Sequence, residues 1–235
     1  AGPVLGFEAL LRWQHPKQGL LSPDLFLPLA EKTGLIIPIG NWVIDEACRQ
    51  LREWHLQGHT DWSMAVNLST LQFEQPSLVK TVLDCLTRHS VPPGMLILEV
   101  TETTAMSNPD ESVRVLTALT DVGVKASIDD FGTGYSSLLY LKRLPACELK
   151  IDRAFVKELS GESEDATIVS AIIALAKTLN LKVVAEGVET AAQQTFLTEL
   201  GCNTLQGYLL GKPITAQAIM EQCQHGEMSP SRMQS

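Results

Sequence analysis

The strongest constraint on the fold is an alternation. Seven short β-rich runs recur along the chain: VLGFEALLRW, SMAVNLS, MLILEVT, VKASIDD, CELKID, KVVAEGV and TLQGY. Helical patterns fill the stretches between them. Strands separated by helices of this length imply parallel βαβ units, and therefore a doubly wound sheet or a barrel. The helices carry readable ends. Ser22-Pro23 and Asn108-Pro109 each offer an N-cap followed by proline at the first helical position, and Gly34, Gly123 and Gly201 stand where C-terminal glycines belong. From Glu164 to Asn180, the residues Ile168, Ile172, Leu175 and Leu179 keep helical spacing. A (β/α)8 barrel needs eight strands, one more than these runs supply. The last helix is expected near Thr215 to Gln224, which makes residues 1–224 one domain and 225–235 a flexible tail.

A length of 235 residues, 45% of them hydrophobic, suits one large α/β domain better than two small ones. Eighteen basic against 27 acidic residues give a formal charge of -9. Such a surface repels polymeric nucleic acid and anionic lipid, so neither is expected as a partner of this domain. The longest apolar runs, such as AIIALA, are too short to cross a bilayer, and no signal-peptide pattern opens the chain. Five scattered cysteines without a CxxC read as reduced thiols, which places the domain in the cytoplasm, alone or as the cytosolic part of a membrane-anchored protein. His55 and His59 have a spacing that can bind metal on a helix. Gly58 ends that helix, so a solvated helix end is expected.

The polar residues fall in one place. Asn67, Glu99, Asp129, Lys150, Glu186 and Gln206 each lie at or near the C-terminal end of a different expected strand. In a barrel those ends converge on the rim where active sites are built. Each alone has a structural explanation, such as a cap or a turn. Together they would bury carboxylates side by side, which is costly without a cation. Carboxylate and amide oxygens, without cysteine or clustered histidine, suit Mg²⁺ or Mn²⁺. Ca²⁺ is expected to bind such hard oxygens and to inhibit. Neighbouring side chains on a strand point to opposite faces, so Asp129 and Asp130 share a metal only if the strand breaks there, as Gly132 and Gly134 permit. Asp129 would then bridge two ions and Asp130 hold the second. Two metals roughly 3.5–4 Å apart are an arrangement used on phosphodiesters. The letters DFG at 130–132 also occur in protein kinases, but no glycine-rich phosphate loop or HRD element accompanies them here.

FEALLRW, VNLS, LEVTE, DDFGTGYSSL, LKID, AEGVET and QGY stand in the order seen in EAL domains. From about Val4 to Ile214 the chain resembles these bacterial cyclic di-GMP phosphodiesterases. The resemblance implies a TIM-like (β/α)8 barrel, here without its first strand, because that strand and its substrate-holding glutamine precede the region present. It also implies that Glu8, Asn67, Glu99 and Asp129 hold one divalent ion, and that Asp129, Asp130 and Glu186 hold another. Lys150 would position the attacking water, Arg12 and Asp152 would seat the substrate with Gln206, Glu102 would brace the DFGTGYSS loop, and Glu189 would give outer support. The implied reaction is two-metal hydrolysis of cyclic di-GMP to linear pGpG by a homodimer. The competing readings are a receptor that binds cyclic di-GMP without cutting it and a protein-interaction module. The retained charged residues favour the enzyme.

Overall fold

The structure is a computed structural model that describes residues 3–134, 137–159 and 163–225. Its strands are β1 (Gly6–Ala9), β2 (Trp13–His15), β3 (Gly19–Leu21), β4 (Ser63–Leu68), β5 (Leu96–Thr101), β6 (Lys125–Phe131), β7 (Glu148–Ile151), β8 (Lys182–Ala185) and β9 (Thr204–Leu205). Each of the seven expected runs contains one of β1 and β4–β9. These residues divide into two compact units. The N-terminal unit takes the chain up to Leu98, with Val122–Val124 and the residues from Thr215; the C-terminal unit takes Glu99–Asp121 and Lys125–Ile214.

In the N-terminal unit the hydrogen-bonded order is β1–β4–β5, with β1 and β4 parallel and Glu8 opposite Ala65. The long helix Ile36–Leu56 covers β4 and packs on Leu78–His89. Phe7, Trp54 and Trp62 meet with ring centroids 4.9–5.5 Å apart; Trp62 stands edge-to-face to the other two, as the quadrupoles of aromatic rings favour, and Phe7 and Trp54 are tilted by 49°. One element was not anticipated. VLGFEALLRW reads as a single strand, but β1 stops at Ala9, and Trp13 begins an antiparallel hairpin with β3. Its turn is HPKQ, closed by Gly19 at φ +74 and by His15 Nδ1, which accepts from the N–H groups of Lys17 and Gln18. His55 and His59 depart from the solvated end expected of them. The His59 ring stacks on Trp62 at 3.9 Å, and His55 Nε2 lies 3.1 Å from the Trp62 carbonyl.

In the C-terminal unit the order is β5–β6–β7–β8–β9, and the pairs β6–β7, β7–β8 and β8–β9 are parallel. The apolar positions of these strands, Ile128, Leu149, Ile151, Val183 and Ala185, are buried, as parallel strands covered by helices require, and Ser127, Asp129 and Lys150 are buried beside them. The helix Glu164–Thr178 has the helical spacing expected and packs against β7 and β8. Ala166, Val169, Ile172, Ile173 and Ala176 are buried, whereas Ile168 is exposed and Leu175 and Leu179 are only partly covered. A helix with apolar residues on several sides does not announce its inner face, and here Ile172 and Ile173 share it with Val169 and two alanines.

The helix ends fall where read. Ser22 holds the N-cap position of Pro23–Thr33 without a side-chain cap hydrogen bond, Gly34 follows that helix in the left-handed region, and Asn108 Oδ1 accepts from the Glu111 N–H. Gly123 and Gly201 also have positive φ. Thr215 caps the last helix, Ala216–Gln224, and His225 closes it. The remainder of the expected tail, 226–235, lies outside the described residues, as do Tyr135 and Ser136 of the DFGTGYSS stretch.

Candidate metal centre

At Asp129 and Asp130 the strand bulges rather than ends, since β6 runs on to Phe131. The β6–β7 register shifts between Ile128 and Phe131, and Asp130 has φ +54, a conformation that L-residues other than Asn and Asp seldom take. The Asp130 N–H donates to Asp129 Oδ1 at 2.8 Å, which keeps the two carboxyls on one side. Gly132, at φ +99, continues the turn. Gly134 acts differently from the expectation: it leaves room for Glu102, whose Oε1 would lie 3.1 Å from a Cβ there. Glu102 is buried and its Oε2 accepts from the Gly132 N–H at 2.8 Å, so it does brace the described part of the loop.

Lys150 is the hub. It is 1% exposed, and its Nζ lies 2.7 Å from Glu186, 2.8 Å from Glu99 and 3.6 Å from Asp129. Glu99 and Asp129 lie two residues before the ends of β5 and β6, and Glu186 immediately follows β8. A buried ammonium is tolerated only with such pairing. Ligand oxygens of Asp129, Asp130 and Glu186 all fall within 4.8 Å of one another. Asp130 is pushed up to about 6, first by burial, then by the Asp129 charge and by Asp152, which shares a hydrogen bond with it; Lys150 acts in the opposite direction. Asp152 is also a helix cap, with Oδ1 accepting from the Ala154 N–H at 2.8 Å. Three carboxylates thus surround the Lys150 ammonium, and Asp130 and Asp152 add two more carboxyls beside them. The excess of hard, partly dehydrated oxygen donors fits a divalent cation.

The other expected residues stand as follows. Glu8 and Asn67, both in the N-terminal unit, are joined by an Asn67 Nδ2–Glu8 Oε1 hydrogen bond of 2.7 Å. Arg12 is exposed, with one guanidinium N–H donating to the Leu11 carbonyl. Gln206 ties its main chain to Ala185 and Val188. Glu189 is exposed, and its main-chain N–H donates to Gln193. Gln193 escaped the sequence reading, although Thr190-x-x-Gln193 is a capping-box pattern that could have flagged it.

The loop carrying Glu186 has little room. Gly187 has φ +72, and a Cβ on it would lie 2.6 Å from the Arg153 Cβ. Gly187→Ala is therefore expected to lose about 2–4 kcal/mol from left-handed strain and overpacking together, and on the order of 10 °C in Tm. A thermal melt unchanged by the substitution would mean that the loop yields freely.

Residues 1–213 match the family model described as EAL domain. The chain belongs to the EAL domain family. The bifunctional diguanylate cyclase/cyclic di-GMP phosphodiesterase MucR of Pseudomonas aeruginosa is 65% identical over 219 residues, which is 93% of this chain and 32% of MucR. The cyclic di-GMP phosphodiesterase NbdA of the same bacterium is 48% identical over 220 residues, 94% of this chain and 28% of NbdA. The chain thus spans a third or less of the length of these curated relatives. The solved PaMucR phosphodiesterase in complex with c-di-GMP matches with a TM-score of 0.91 at 65% identity, covering 93% of this chain and 88% of that one. The FimX EAL domain from Pseudomonas aeruginosa bound to c-di-GMP matches at 0.82 with 27% identity, over 90% of this chain and 82% of that one. The fold class read from the sequence holds: seven parallel strands with covering helices, as in the TIM-like barrels of EAL domains.

Proposed function

We propose that this chain hydrolyses cyclic di-GMP to linear pGpG. The observation that carries the reading is the Asp129–Asp130–Glu186 cluster braced on Lys150, in an EAL chain 65% identical to a cyclic di-GMP phosphodiesterase. Water adds to one phosphorus, and the 3′ ester oxygen leaves and takes up a proton, so that a 5′-phosphate remains. Two divalent cations, Mg²⁺ or Mn²⁺, would supply Lewis acidity and cancel phosphate charge when bound. Asp129, Asp130 and Glu186 are oxygen donors to them, and Glu8, Asn67 and Glu99 keep the ligand role that their residue types allow. Lys150 fixes the directions of Glu99 and Glu186 and offers a proton donor toward the attacking water. Glu102 holds the loop after Asp130. Arg12, with a planar fork suited to phosphate, seats the substrate together with Asp152 and Gln206. Residues 1–224 act as one domain, a homodimer in the cytoplasm, within a longer protein. Among the described residues no helix is long and apolar enough to cross a membrane.

The test is incubation with cyclic di-GMP and Mg²⁺ followed by product separation; pGpG is expected. Cyclic di-GMP that is bound yet uncut would instead establish a receptor. Initial rates with single ions should show turnover with Mg²⁺ and Mn²⁺. Ca²⁺ should bind and inhibit, because it prefers oxygen ligands at about 2.3–2.6 Å against about 2.0–2.1 Å for Mg²⁺. Equal turnover with Ca²⁺ would sink the demand for tight geometry.

A further inference from the structure

Gln193 looks at first like the fourth residue of a capping box. Its Oε1 accepts from the Thr190 N–H at 2.9 Å, while Thr190 Oγ1 accepts from the Gln193 N–H at 3.2 Å. A cap needs no more than this, and the amide nitrogen of such a glutamine ordinarily turns to water. Here the residue is 5% exposed and the whole amide is used. Oε1 also accepts from the Glu189 N–H at 2.8 Å, and Nε2 donates to the carbonyls of Val156 at 2.9 Å and Lys157 at 3.1 Å.

These partners belong to two loops that carry chemistry. Glu189 and Thr190 end the segment that begins with Glu186, just after β8. Val156 and Lys157 end the short helix Arg153–Lys157, which follows Lys150 and the cap Asp152. One buried amide therefore bolts the Glu186 loop to the Lys150–Asp152 loop. The same two loops touch at Gly187 and Arg153, and the Glu186 N–H donates to the Ile151 carbonyl at 3.2 Å. The Gly187–Arg153 contact limits how closely the loops approach, and Gln193 keeps them from parting.

We infer that Gln193 is a positioning residue, which holds Glu186 at its working distance from Lys150 and Asp130 by tying the two loops together. The inference rests on the phosphodiesterase reading for its kinetic arm only. Leucine is close to glutamine in size but makes none of the four hydrogen bonds. Gln193→Leu is expected to lower kcat at least tenfold with KM for cyclic di-GMP within threefold, since partners that orient metal ligands typically cost about 10–100-fold when removed. Mn²⁺ affinity measured by calorimetry, which needs no turnover, should weaken by about tenfold. Gln72→Leu is the matched control. Gln72 is a glutamine of the N-terminal unit, 1% exposed, donating to Asn41 Oδ1 at 3.1 Å. It should lower Tm as Gln193→Leu does, yet leave kcat and Mn²⁺ affinity within twofold. A Gln193→Leu chain with wild-type kcat and Mn²⁺ affinity would overturn the inference, as would equal losses in the two variants. A wild-type chain that binds Mn²⁺ without cutting cyclic di-GMP would sink the phosphodiesterase reading alone, and the Mn²⁺ comparison would still decide the role of Gln193. A wild-type chain that binds no Mn²⁺ would overturn both.

Discussion

Lys150→Ala is expected to lower turnover of cyclic di-GMP by about a hundred- to a thousandfold, the usual cost of removing one preorganised donor, while KM changes little. The reason lies in the surroundings of Nζ. Glu99 and Glu186 are within 2.8 Å and Asp129 is at 3.6 Å, so the ammonium both orients carboxylates and offsets their charge. Alanine leaves Glu99, 2% exposed, without that counter-charge. Removing one partner of a buried pair typically costs about 3–5 kcal/mol. The variant should therefore melt well below the wild type in chelator. Saturating Mg²⁺ should return most of the lost stability, because the cations supply positive charge to the same oxygens, but it should not return the rate. The measurements are melts with chelator and with Mg²⁺, and kcat and KM at saturating Mg²⁺. Normal kcat with much weaker binding would make Lys150 a substrate clamp instead.

Most of the placement in this site was readable in the order of residues. Polar residues closing apolar runs mark the strand ends in a parallel α/β chain, which is why Glu99, Asp129, Lys150 and Glu186 group together in the sequence itself. Asp129 and Asp130 needed a break in strand geometry to act together, and the register shift with φ +54 at Asp130 meets that need with a bulge inside β6. What was not readable follows from physics that spacing does not encode. The Trp13–His15 and Gly19–Leu21 strands are three residues each, too short for periodicity, and only HPKQG hinted at their turn. The inner face of Glu164–Thr178 joins Ile172 and Ile173 to Ala166, Val169 and Ala176, a mixture that periodicity in a helix so rich in apolar residues does not single out. Gln193 looked like a cap because half of its hydrogen bonds are a cap. The other half reach back 36 and 37 residues, and no local pattern announces them.

Asp129→Asn is expected to abolish both divalent cation binding and turnover, yet to make the ion-free protein more stable near neutral pH. Two effects compete. The substitution loses the attraction of Lys150 for Asp129, but at 3.6 Å this is the longest of the three ion pairs, and the two shorter ones remain. It also removes the Asp129 charge from beside Asp130, where that charge is the second cause, after burial, that raises the carboxyl to about 6. Relief of the like charges wins. The sign with pH follows from Asp130. An acid whose folded value lies above its ordinary 3.8 binds more protons when folded than when unfolded, so it stabilises the fold fully below about pH 4 and loses that contribution as pH rises through about 6. Ion-free wild type should therefore give up stability across that window. The asparagine variant should give up less, because only burial and Asp152 still oppose ionisation of Asp130. Saturating Mg²⁺ should flatten the wild-type profile and leave the variant unmoved. Melts from pH 4 to 7 in chelator, calorimetric titration with Mn²⁺ and a product assay measure all three effects. Retained Mn²⁺ binding and turnover in the variant would remove Asp129 from the site, and a wild-type profile flat across the window in chelator would remove the strained Asp129–Asp130 pair from the account.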